Sequence, residues 1–65
     1  MNKFQQQLNA VMQNLDREHR AVVAEAAEFS DGSQDSFELE LVAAAWEHPG
    51  LPVRAIMDQF AAVDQ

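Results

Sequence analysis

Two histidines, His19 and His48, and eleven carboxylates are the groups that could do chemistry in this chain, which has no cysteine. Their spacing limits what that chemistry is. A histidine acting as a general base needs a nucleophile or a second acid within hydrogen-bond reach. His19 is flanked by Arg17, Glu18 and Arg20, and no such helper stands out at a helical offset. Glu25 and Glu28 could begin a carboxylate metal site, but di-iron bundles draw a Glu-x-x-His pair from each of two helices. That pattern does not occur in the sequence. Without cysteine there is no disulfide and no thiolate zinc site, and two histidines need carboxylate help to hold zinc. The expectation is a protein with no catalysis, no metal and no cofactor. His19 then reads as an interface or core-edge residue, with a pH-sensitive contact as its functional alternative. His48, just before Pro49, reads as a cap for helix-end carbonyls.

The carboxylates say more through their distribution. Residues 1–24 carry Lys3, Arg17 and Arg20 against Asp16 and Glu18. Residues 25–47 carry Glu25, Glu28, Asp31, Asp35, Glu38, Glu40 and Glu47 with no base, which equals the net charge of -7. Nucleic-acid binders show the opposite, a basic stripe that displaces counterions from phosphates. Asp35, Glu38 and Glu40 sit where a helix would begin and favour its dipole, whereas Glu25 and Glu28 sit near a helix end, where negative charge is unfavourable. Charge held where it costs stability points to binding, against the plainer reading of a solvated surface.

The elements that position these groups follow from apolar spacing. Phe4, Leu8, Val11, Met12, Leu15, His19, Val22, Val23, Ala26 and Phe29 recur in steps of three and four, with a few adjacent pairs. With no Gly or Pro between them, they predict one amphipathic helix over 3–29. The stretch 30–36 is a loop around Asp31-Gly32. A second helix is predicted over 36–48, with Asp35 and Glu38 forming a capping box and Ser36 the competing cap. Its many apolar residues mark it as the most buried element, with Trp46 in the core beside Met12 and Met57. An exposed Trp46 would instead be the best hot-spot candidate. Pro49 ends that helix, Gly50 offers a left-handed stop, and Pro52 suits the first turn of a third helix over 52–63.

The stretch WEHPGLPVRAI, residues 46–56, resembles the first helix and turn of winged-helix transcription regulators. The similarity covers Leu41 to Phe60. A recognition helix should follow and carry side chains to the DNA. The remaining residues leave no room for it, and Arg54 is the only base in the region. None of that family's functional residues has a counterpart here, so direct nucleic-acid binding is not expected.

The fold expectation is therefore all-α, a small three-helix domain spanning 1–65. Two short helices cannot cover so long a one, so a dimer should complete the bundle. A strict coiled coil is disfavoured because a heptad frame would put Glu18 and Glu25 in the seam. The apolar face left for a second copy or a partner is Phe4, Leu8, Val11, Leu15, His19 and Val22. The acidic face for a partner with a basic patch is Glu25, Glu28, Asp31, Asp35, Glu38 and Glu40. The functional expectation is a non-catalytic interaction module: a regulator, adaptor or inhibitor. The alternatives are an acidic mimic of nucleic acid and a truncated helix-turn-helix regulator. No apolar run has the length of a signal peptide or a membrane span, so a cytoplasmic location is expected.

Overall fold

The apolar stripe from Phe4 to Phe29 keeps its phase, but the backbone beneath it does not continue. In the computed structural model, which describes residues 3–63, the stretch forms two helices, α1 (Lys3–Met12) and α2 (Arg17–Phe29). They are followed by α3 (Gln34–Glu47) and α4 (Val53–Ala62), with no strand among the described residues. The fold is all-α, with four helices in place of the three expected.

The break has a local cause. Asn and Asp compete with helical hydrogen bonding through their own side chains. The Asn14 amide donates to the Ala10 carbonyl at 3.3 Å, and the Asn14 and Leu15 N–H groups turn to the carbonyls of Val11 and Met12. These tighter bonds close α1. Asp16 then caps α2, its carboxylate accepting the His19 N–H at 2.9 Å. Arg20 stitches the corner by donating to the Leu15 carbonyl at 2.9 Å.

The second loop carries its own cap. Ser33, not Asp35 or Ser36, is the N-cap of α3, accepting the Ser36 N–H at 3.1 Å. Asp31 accepts the Ser33 N–H at 3.0 Å, and the Ser36 hydroxyl accepts the Asp31 N–H at 3.2 Å. Asp35 moves into the first turn of α3, still favourable to its dipole. Hydrogen bonds from the Ser33 hydroxyl and then the Ser33 backbone hold the Asp31 carboxyl below its ordinary value of 3.8. Gly32, at φ 90°, is the described residue that takes the left-handed region. Gly50 does not, because α3 ends by swinging His48 to φ -131° before Pro49. Pro52 sits one position outside α4, as its N-cap residue.

The break lets α1 fold across α4 instead of projecting past its neighbours. Leu8 and Val11, expected on an uncovered face, are core residues, and Phe4 and Leu15 pack against that core. Val11, Val23, Phe37, Leu41, Ile56 and Phe60 are essentially without solvent contact. Three phenylalanines tie α1, α3 and α4 together. Phe4 meets Phe37 edge-on with ring centres 5.6 Å apart and Phe60 at 5.4 Å, while Phe37 and Phe60 lie 5.1 Å apart. A pair of glutamines fastens α1 to α4. Buried Gln7 donates to the Phe60 carbonyl at 2.8 Å, and Gln59 donates to the Ala10 carbonyl at 3.5 Å. Both acceptors lie in last turns, where helix carbonyls lack an internal partner. The four helices thus enclose a core by themselves, and the length mismatch behind the expected dimer is gone.

Candidate docking face

The most apolar helix is only half used by the core. At 100° per residue, Phe37 and Leu41 of α3 point inward and are fully buried. Leu39, Val42, Ala43 and Trp46 share an arc of about 100° on the opposite side. Leu39 is 70% exposed, Trp46 84% and Val42 46%. The second helix was expected to be the most buried element, with Trp46 in the core. It instead carries one apolar face inward and another outward. A helix apolar all round is ordinarily enclosed on every side; among the described residues no element covers the outer side of this one.

Beside that stripe, α2 and α3 run in opposite directions and leave a groove of about 200 Å³. Val22, Glu25, Ala26 and Phe29 line one wall, and Glu40, Ala43, Ala44 and Glu47 the other, with His48 at one end. Each set follows the i, i+3, i+4, i+7 row of a helix surface. Alanines form the floor. Phe29, 70% exposed, stands at the loop end. Three carboxylates, Glu25, Glu40 and Glu47, rim the groove without a Lys or Arg in its lining. None of the three makes an ion pair among the described residues.

Of the acidic residues expected in one partner surface, Glu25 and Glu40 meet in this groove. Glu28 is exposed on α2, one position from Phe29, outside the lining. Asp31 belongs to the loop network, and Asp35 shares the outward side of α3 one turn before Leu39. Glu38 lies on the far flank with Val53, Arg54, Met57 and Asp58. Among the residues expected on the apolar face, Val22 is in the groove wall and His19 is partly exposed. Phe4, Leu8, Val11 and Leu15 are committed to the interior. Leu39, Val42 and Glu47 were not in the expected site, although Glu47 was counted in the acidic third; Trp46 was a candidate only on condition of exposure, and Phe29 only as part of the long apolar stripe.

His19 does have an acid beside it, which its sequence neighbourhood obscured. Asp16, three residues earlier, lies 3.7 Å from its Nδ1. His19, His48, Glu18 and Glu47 also border a shallow cleft at the corner before α4. No group of three or more metal-ligating side chains comes together among the described residues. No described helix is long and apolar enough to cross a membrane. No family model, curated protein or solved structure matches the chain.

Proposed function

We propose that this chain is a non-catalytic interaction module that binds another protein through the outer face of α2 and α3. The observation that carries this reading is the exposure of Trp46 in line with Leu39 and Val42. Contiguous apolar patches on a small domain mark association sites, and tryptophan leads the residues that anchor interfaces. The carboxylates around the stripe give it a polar rim and select a partner of positive sign. A second copy of this chain is less well served, since two such faces would set glutamates against glutamates. A nucleic-acid mimic is also less well served, because the carboxylates border apolar side chains instead of forming a continuous anionic track. Absence of cysteine suits work in a reducing cytoplasm.

The test compares proteins retained from the source cells by the immobilised native chain and by a Leu39→Asp/Trp46→Ala variant. The expected outcome is a protein held by the first and released by the second, with equal helicity by circular dichroism. Identical retention by both, or none by either, would overturn the reading.

A further inference from the structure

The groove also constrains the shape and charge of what fills it. Its two walls present parallel rows at helical spacing, the pattern into which the ridge of a third helix packs. Ala26, Ala43 and Ala44 keep the floor low, so a helix axis can approach closely. An extended peptide has no strand edge to join among the described residues. On the α3 wall, Glu40 and Glu47 are seven residues apart, about 10 Å along the axis, and Glu25 stands on the opposite wall. The helices of the chain itself lack the charge pattern for this seat. α3 has Asp35, Glu38, Glu40 and Glu47 with no base, α2 sets Arg17 and Arg20 against Glu18, Glu25 and Glu28, α4 sets Arg54 against Asp58, and α1 has Lys3 alone, so none presents two bases one heptad apart.

We propose that the occupant is an amphipathic α-helix of another protein with basic residues one heptad apart, a reading that rests on the interaction-module assignment above. Its apolar ridge lies on the alanine floor between Phe29 and the Leu39–Val42–Trp46 stripe. Lys or Arg heads at i and i+7 meet Glu40 and Glu47, and a base on the other flank meets Glu25. Loss of two such rim pairs together with the repulsion from reversed charge amounts to about tenfold in affinity.

Trp46 is the only tryptophan in the chain; exposed and one position before Glu47 of the groove wall, it reports through its emission on a helix that reaches from the groove to the stripe. The probes are three synthetic peptides of about three heptads, each free of tryptophan. One has a leucine–alanine ridge with lysines at i and i+7. The second has the same composition scrambled to destroy helical periodicity. The third replaces each lysine by glutamate. The expected result is a saturable blue shift of Trp46 with the first peptide alone. Glu40→Lys/Glu47→Lys should weaken that binding about tenfold and gain binding of the glutamate peptide. If the double reversal does not fold, Glu40→Gln/Glu47→Gln supplies the same comparison, with weakened lysine-peptide binding as its expected result. Equal binding of the scrambled peptide would reduce the attraction to unspecific polycation binding and overturn the proposal. So would a blue shift that grows with protein concentration alone, which would make a second copy the occupant. If no peptide binds while the retained cellular protein still depends on Leu39 and Trp46, the helix falls and the module stands. If neither is seen, both fall.

Discussion

Phe37 and Trp46 sit on the same helix, nine residues apart, and should respond to removal in opposite ways. Phe37 has no exposed surface and touches both other rings of the phenylalanine cluster. Truncating a buried phenylalanine to alanine costs about 3–5 kcal/mol, and each lost aromatic contact adds about 0.5–1.5 kcal/mol. A domain of this length is stable by about 3–10 kcal/mol in total. Phe37→Ala should therefore leave the chain largely unfolded. Trp46 is 84% exposed, so Trp46→Ala should change stability by no more than about 0.5 kcal/mol. The better helix propensity of alanine pushes that change toward stabilisation. Urea unfolding followed by far-ultraviolet circular dichroism at two protein concentrations reads both. A Phe37→Ala chain that loses less than about 1 kcal/mol, or a Trp46→Ala chain that loses more, would mean that the inner and outer faces of α3 have been exchanged.

Four further outcomes follow from the same contacts. Asp16→Ala removes the cap of α2 and should cost about 1 kcal/mol, seen as a melting temperature lower by about 4–8 °C. Gln7→Leu leaves the Phe60 carbonyl buried without its donor and should cost about 1–3 kcal/mol in the same melts; a neutral result would mean that water replaces the amide. Gly32→Ala should destabilise by about 1–2 kcal/mol through its positive φ alone, because no atom beyond its chain neighbours lies within 4 Å of the added carbon. For Asp31, a folded pKa below 3.8 means that the native chain binds fewer protons than the unfolded one as the pH approaches that value. Its contribution is complete above 3.8 and fades as the pH falls through the lower folded value. Melting curves taken down the acid range should therefore be flatter for Asp31→Asn, and an unchanged acid limb would remove this assignment.

The helical class and both later helices were legible in the sequence because Pro49 and Pro52 act locally, on backbone conformations that nothing distant can alter. The division at residues 13–16 was not. Leu15 and His19 keep the three-and-four spacing across the gap, so periodicity runs through a break that Asn14 and Asp16 make with side-chain hydrogen bonds. Asp16 itself was the available sign, since aspartate is among the preferred N-cap residues. The location of the exposed face was hidden for a different reason. Apolar residues on every side of α3 state a preference for burial, but whether a neighbour exists to satisfy it depends on how α1 and α4 fold. Once α1 crosses α4, the stripe of Leu8 and Val11 is consumed and that of Leu39 and Trp46 is left over. The acidic third was visible at once, but only packing separates Glu25, Glu40 and Glu47 from Glu38 across the helix.

The glutamine pair also bears on the order of assembly. The bond from Gln7 to Phe60 spans 53 residues of chain, whereas α2 and α3 meet across the short loop between Phe29 and Gln34. Closing the longer loop costs more chain entropy, and nearby contacts form sooner. Chain entropy therefore favours forming the α2–α3 hairpin ahead of the clasp between α1 and α4. The acid-rimmed groove belongs wholly to that hairpin. On the proposal above, a partner helix would find its whole seat within that hairpin.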